Sequence, residues 1–384
     1  MRHYTTKKLA AVCDISAGNT APQDMAFFKN GSFPFFRTSD IGKIHLGTIY
    51  KSQDLINARA AKSMRLFPKG TILFPKSGAS ASLNHRVKMG VAGYVVSHLA
   101  TIKANNDYLT DDFLLYYLIT IDAKSLLKNN SYPSLNISDL SELTIPIPSL
   151  SVQKWIVERL DKVQELIAKQ KEQIAKLDLL IKSRFLDMFG DPLSNPKKWP
   201  SRRMGDIFKI TSGGTPSRKK SEHFENGTIP WVKTGDLNVP YLTHTDEYIT
   251  EIGLQNSSAK LFPVGTVLLA MYGATIGAVS ILGIEACSNQ ACAAFLPVDT
   301  ISPIYLYFFL FLQKQHFIKL GVGGAQPNIS GEILKRERIL YPPAVLQTQF
   351  ANFVKSVEQQ KEVFSTRLSH LEVLYKSLMQ EYFG

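Results

Sequence analysis

The side chains able to do chemistry in this chain are basic and dispersed, not gathered into a catalytic set. Lysine and arginine number 44 against 32 aspartates and glutamates, a formal charge of +12 at neutral pH. No GxxxxGK(S/T) loop for a nucleotide phosphate occurs, nor HExxH, GxSxG, HxE with CxxC, or the (D/N/S)PP(Y/F) tetrapeptide of methylases. The glycine-rich run Gly321-Val322-Gly323-Gly324-Ala325-Gln326 is not a GxGxxG and reads as a loop. The 8 histidines are scattered, and Cys13, Cys287 and Cys292 have neither a CxxC nor a Cys/His ligand spacing. These features argue against a zinc site or disulfide scaffold and suit a reducing compartment. The chemistry left to such residues is neutralisation of a polyanion.

The elements that must position these residues form a folded, multi-domain chain. Hydrophobic residues are 45% and charged residues 20% of 384, enough for a sizeable core and for two or three domains. The N-terminal stretch lacks a signal-peptide apolar region. The longest apolar stretch, Ile304–Leu312, is far below the ~18 residues of a membrane span. A soluble, cytoplasmic protein with no membrane partner is expected. By segment the excess charge is +7 over residues 1–150, +2 over 151–190, +3 over 191–345 and zero over 346–384.

The chain is one unit written twice. Leu66-Phe67-Pro68-Lys69-Gly70-Thr71-Ile72-Leu73 returns as Leu261-Phe262-Pro263-Val264-Gly265-Thr266-Val267-Leu268, an offset of 195. Gly18-Asn19-Thr20 with Pro22 returns as Gly213-Gly214-Thr215-Pro216. Phe36-Arg37-Thr38-Ser39-Asp40-Ile41 returns as Val232-Lys233-Thr234-Gly235-Asp236-Leu237, and Asn136-Ile137-Ser138 as Asn328-Ile329-Ser330. Within each copy, β-branched runs (Thr71–Phe74 and Val91–Val96; Val267–Ala270 and Ala278–Leu282) predict strands. Asp111–Ile119 and Pro303–Leu312 predict buried helices.

Each copy then runs into a long helix without Pro or Gly, Ser151 to Met188 and Gln347 to Phe383. Ile156, Leu160, Val163, Ile167, Gln170, Ile174, Leu177 and Ile181 form one heptad seam. Phe350, Val354, Val357, Lys361, Phe364, Leu368, Leu371 and Tyr375 form the other. An antiparallel pairing with residue numbers summing to 531 sets Gln170 opposite Lys361, so neither polar group is buried against an apolar one. The expected fold is α+β: mixed α/β domains at 1–148 and 191–343, with helices at 149–190 and 344–384. These helices pair as an antiparallel intramolecular coiled coil with pseudo-two-fold symmetry. Two basic domains on a stiff rod of ~55 Å could read two half-sites a fixed distance apart on duplex nucleic acid.

Several runs carry a family resemblance: Gly213-Gly214-Thr215-Pro216-Ser217-Arg218, Gly227-Thr228-Ile229-Pro230-Trp231-Val232 with Gly235-Asp236, Leu261 to Leu269, and Gly273-Ala274-Thr275-Ile276-Gly277. Asn289-Gln290 and Asn328-Ile329-Ser330 before Gln347 extend it, as do Ile145-Pro146-Ile147-Pro148 and Gln153 in the first copy. With these motifs the chain resembles the specificity subunit of type I restriction-modification systems. The resemblance spans both copies. The first departs from it, with Gly18-Asn19-Thr20-Ala21-Pro22 and Phe74-Pro75-Lys76-Ser77-Gly78, which implies that the two domains read different sequences.

The resemblance implies two target-recognition domains, each reading one half of a split site on double-stranded DNA, with the helices setting the spacer. It implies a non-catalytic chain that assembles with methylation subunits, two per chain, and with restriction subunits. The assembled complex would methylate adenine and cleave DNA. S-adenosylmethionine, ATP and Mg would sit on those partners and no cofactor or metal on this chain. The alternative is a stand-alone DNA-binding or scaffold protein outside any methylating complex. On a DNA-reading surface, Lys and Arg in loops serve phosphates, and Arg, Asn, Ser and Thr serve base edges. The expected contacts in the first domain are Arg37, Thr38, Lys76, Ser77, Asn84, Arg86 and Lys88. In the second they are Arg218, Lys219, Lys220, Lys233 and Tyr272. The shared Gly, Pro, Asn and Ser positions are expected to be scaffold.

Overall fold

A computed structural model describes residues 4–127, 133–321 and 328–384. Residues 322–326 of the glycine-rich run therefore lie outside the described residues. The chain divides into two compact units, residues 1–171 with 366–384, and residues 172–365. Each unit thus holds one mixed domain, part of the helix Leu150–Phe189 and part of the helix Ala344–Phe383.

In the first unit the core is a five-stranded sheet in the order Cys13–Ala17, Leu99–Ala104, Ile72–Pro75, Arg86–Met89, Leu46–Ile49. All pairings are antiparallel except the last, which is parallel. A three-stranded sheet orders Asp54–Ile56, Phe33–Phe36 and Tyr94–Val95, and Thr6–Lys8 pairs with Thr144–Pro146. The second unit repeats this plan: Ile210–Ser212, Cys292–Phe295, Val267–Ala270, Val279–Leu282 and Tyr241–Leu242 form its five-stranded sheet. Its three-stranded sheet is Tyr248–Ile249, Ile229–Val232 and Cys287–Ser288, and Ser201–Arg203 pairs with Arg338–Leu340. The sequence repeat is therefore a repeat of topology.

The central strands read as continuous apolar runs because both faces are covered. Ile72, Leu73 and Phe74 are all buried, as are Val267, Leu268, Leu269 and Ala270. The expected buried helices form at Asp111–Thr120 and Pro303–Leu312. Thr110 caps the first by accepting the Phe113 N–H, and Pro303 opens the second, where its missing N–H costs nothing. Gly18 and Gly213 lie where a Cβ would sit 2.3 Å from the Val96 carbonyl oxygen and 2.0 Å from that of Ser288. The shared glycine is there so that the chain can pass against the neighbouring strand.

Both long helices span 40 residues, and Gly190 ends the first in a left-handed conformation that glycine adopts without strain. Their seam residues are buried or half-buried between exposed flanks. In the first unit Ile156, Leu160 and Val163 pack with Leu378, Met379 and Tyr382 on Phe113 and Leu114. In the second, Ile181, Phe185 and Phe189 pack with Phe350, Val354 and Val357 on Tyr305 and Phe309. Within each unit the helix segments run antiparallel: Gln164 meets Tyr375 where Trp155 meets Tyr382, and Asp178 meets Lys361 where Phe185 meets Phe350.

The register departs from the expected one. Gln164–Tyr375 and Asp178–Lys361 each sum to 539, about one heptad from 531. Lys361 takes Asp178 at 2.7 Å and Glu358 at 3.0 Å as partners, in place of Gln170. The Gln170 amide nitrogen is buried with no partner among the described residues. A heptad pattern fits equally well after a seven-residue slip, so the helix ends decide the register. There the aromatic residues Phe185, Phe350, Trp155 and Tyr382 interlock, and a carboxylate satisfies an ammonium better than a carboxamide does.

Candidate nucleic-acid interface

In the second unit the strand Ile229–Val232 ends at Lys233, where a short turn begins. The Asp236 carboxylate accepts the Lys233 N–H at 2.8 Å and so pins the turn. Lys233 Nζ donates to Glu247 Oε1 at 2.6 Å, and Arg218 Nη2 donates to Glu247 Oε2 at 2.5 Å. Two cations thus converge on one carboxylate. The Arg218 guanidinium also lies 4.6 Å from the Phe224 ring centroid and 5.0 Å from that of Trp231. Lys233 and Arg218 hold the Glu247 carboxyl below its ordinary range, and the Glu247 hydrogen bond holds the Lys233 ammonium above its own.

The first unit builds the same place from other residues. Arg37 follows the strand Phe33–Phe36, with its N–H bonded to Asp40 at 2.8 Å, and Thr38 opens the next helix. Arg37 Nε donates to Asp54 Oδ2 at 2.5 Å, and the guanidinium lies 5.1 Å from Phe35 and 5.6 Å from Phe28. Asp54 is the register partner of Phe35, as Glu247 accepts the Trp231 N–H in the other unit. Phe28 and Phe35 match Phe224 and Trp231 at an offset of 196. The guanidinium over them comes from residue 37 in one unit and from residue 218 in the other.

Three further expected contacts are tied into the fold. Arg86 is fully buried and is not a surface contact. Its Nε and Nη2 donate to the carbonyls of Leu118 and Ile121, each at 3.2 Å, its Nη1 donates to that of His85 at 2.8 Å, and its guanidinium stacks on Phe74. It adds donors to carbonyls at the C-terminal end of the helix Asp111–Thr120, where a cation is favoured. Burial pushes its pKa down to about 9 against the opposing pull of Asp122. Lys88 is bonded to Asp112 and largely covered. Asn84 accepts the Ala123 N–H at 2.8 Å and donates to Asp122 at 3.3 Å, which fastens its loop.

The remaining expected contacts stay at the surface. Ser77 Oγ lies 2.7 Å from His98 Nδ1, and half-buried Lys76 has no ion pair among the described residues. Lys219 is exposed and likewise unpaired among them, whereas Lys220 lies 3.6 Å from Glu222. Tyr272 is 43% exposed on the turn after Val267–Ala270. His85, in the polar loop, meets His45 at 2.8 Å; burial, then His45 and Arg86, hold its imidazole below the usual range.

Two basic residues escape a reading by motif. Arg65 donates to Ser16 Oγ at 2.9 Å and Asp14 at 2.6 Å, and Lys260 donates to Thr211 Oγ1 at 2.6 Å. The repeat that aligns Leu66 with Leu261 also aligns Arg65 with Lys260 and Ser16 with Thr211, and that was the available signal. Among the described residues no cluster of His, Cys, Asp or Glu could hold a metal ion, and no helix is long and apolar enough to cross a membrane.

Two tandem mixed domains, each ending in a long helix and each carrying an arginine–carboxylate pair over aromatic rings beside its small sheet, define a repeated module. The family model described as the type I restriction modification DNA specificity domain matches residues 1–178 and again 196–373, so the chain belongs to that family. The MjaIX type I restriction enzyme specificity subunit of Methanocaldococcus jannaschii is 24% identical over 94% of this chain and 89% of its own. Two solved structures share the fold. One, from work on complex assembly and conformational transition of the type I R-M system, has a TM-score of 0.65 at 20% identity, covering 100% of this chain and 98% of its own. The other, the type I restriction-modification S subunit of M. genitalium, has a TM-score of 0.58 at 16% identity, covering 100% and 96%.

Proposed function

We propose that this chain is the non-catalytic DNA-sequence-specifying subunit of a type I restriction-modification complex, each unit reading one half of a bipartite site. The observation that carries this reading is the double match of the specificity-domain family over two units of identical strand order. The departure at Phe74-Pro75-Lys76-Ser77-Gly78, where Ser77 stands in the place of Tyr272, supports two different half-sites. The two 40-residue helices, each ~60 Å long, support a fixed spacer of unread base pairs.

In this reading methylation subunits, two per chain, and restriction subunits join the chain on DNA. They bring S-adenosylmethionine, ATP and Mg for adenine methylation and cleavage. Co-expression with the methylation subunit of the same system, followed by single-molecule mapping of methyladenine, tests it. A methylated bipartite motif is the expected result, and one heptad added to both helices should lengthen its spacer while leaving both half-sites unchanged. DNA binding with no methylated motif would point to a stand-alone DNA-binding protein. Altered half-sites with an unaltered spacer would remove the ruler.

A further inference from the structure

The two equivalent sites differ in the number of cations they hold. In the first unit one guanidinium, Arg37, faces one carboxylate, Asp54. In the second unit two cations, Arg218 and Lys233, share the single carboxylate of Glu247, one cation more than in the first unit, while Asp236 holds the Lys233 N–H as Asp40 holds that of Arg37. Arg218 has a side chain 54% exposed, against 35% for Arg37. The Phe224 and Trp231 rings hold its guanidinium in place, so little side-chain freedom remains to be lost on binding. Two cations that share one carboxylate keep N–H donors for a further anionic oxygen, and a guanidinium beside an ammonium suits the phosphodiester of a nucleic-acid backbone.

We propose that Arg218 and Lys233, organised by Glu247 over Phe224 and Trp231, form a backbone phosphate clamp in the second unit. The equivalent Arg37–Asp54 pair of the first unit is an internal tie without that role. This inference rests on the DNA-binding reading and assigns different work to two sites that the repeat makes equivalent. A phosphate clamp carries no sequence information, so it operates on any duplex.

The test uses the full chain and a random-sequence 30-base-pair duplex, with affinity measured by fluorescence anisotropy over a salt series. Each lost phosphate contact should reduce the slope of log affinity against log salt by ~0.9. Arg218→Gln and Lys233→Gln are each expected to reduce it by that amount, whereas Arg37→Gln should leave it at the wild-type value. Thermal melting of each variant identifies losses that come from unfolding, and Lys233→Gln leaves the aromatic stack intact if Arg218→Gln melts early. A wild-type slope in folded Lys233→Gln, or an equal loss in folded Arg37→Gln, would overturn the clamp. A wild-type chain whose affinity for duplex shows no salt dependence would instead overturn the DNA-binding reading itself.

Discussion

Gln153 Oε1 accepts the backbone N–H of Thr110 at 2.8 Å, and the same side chain donates to the carbonyls of Tyr108 and Pro148 at 2.7 and 2.9 Å. Thr110 is the residue that caps the helix Asp111–Thr120, so one carboxamide from the long helix fastens the start of the domain's buried helix. Gln347 repeats the arrangement, accepting from Ser302 at 2.9 Å and donating to Pro342 at 2.9 Å and Thr300 at 3.4 Å. Both glutamines are buried. The repeat retains glutamine here because its amide supplies one acceptor and two donors at the fixed separation the three backbone groups require.

Replacing Gln153 by Leu therefore strands one N–H and two carbonyls in the interior. An orphaned buried polar group costs ~1–3 kcal/mol, and we expect a loss of about 3 kcal/mol from the first unit in urea unfolding. Gln347→Leu should do the same to the second unit. A loss below about 1 kcal/mol in both would show that the junction is not held by these amides.

Arg86 offers a contrast with exposed basic residues. Arg86→Ala removes the donors to Leu118, Ile121 and His85 and empties the space over Phe74. The expected cost is about 3 kcal/mol, with the salt dependence of duplex binding unchanged when measured well below the melting temperature. A reduced salt slope in a folded Arg86→Ala protein would contradict its assignment to the core.

The helix seam contains two polar groups of opposite consequence. Gln170→Leu removes a buried amide nitrogen without a partner among the described residues and should raise stability by about 1 kcal/mol. Lys361→Met should leave stability within about 1 kcal/mol of wild type or raise it. Burying an ammonium costs about what its pairing returns, and Asp178 and Glu358 keep access to water. A drop of more than about 2 kcal/mol for Lys361→Met would mean that the ion pairs dominate the seam.

Burial, with a smaller push from Glu251, raises the Cys287 thiol to about 11; burial, reinforced by Asp236, raises that of Cys292 to about 12. Unfolded thiols lose their proton near ~8.5, so between that pH and 11–12 the unfolded chain binds fewer protons than the folded one. Stability is then full below about pH 8.5 and falls as the pH rises. Chemical unfolding at pH 8 and pH 10 should show this decline, reduced in a Cys287→Ala, Cys292→Ala protein. Both thiols should resist a disulfide reagent at pH 8 until the chain unfolds; rapid labelling of native protein would refute their burial.

Local pattern alone determined much of this protein. The repeat offsets aligned Gly18 with Gly213 and Gln153 with Gln347, and the structure places each pair in equivalent surroundings, because a duplicated sequence duplicates the packing it encodes. The apolar runs located the strands and the buried helices to within a few residues, since each lies in a single covered layer. The heptads located the seam. Tertiary structure alone decided the register, because heptads tolerate a seven-residue slip and only Asp178 and the interlocked aromatics forbid it. It also decided which basic residues are free. Arg86 and Lys88 sit in a polar, basic stretch, yet one is spent on helix carbonyls and the other on Asp112. Arg218 and Lys233 share the carboxylate of Glu247, just before the strand Tyr248–Ile249, and no local pattern links it to them. Charge is a property of a residue, but its availability to a partner depends on what the fold brings within about 3 Å of it.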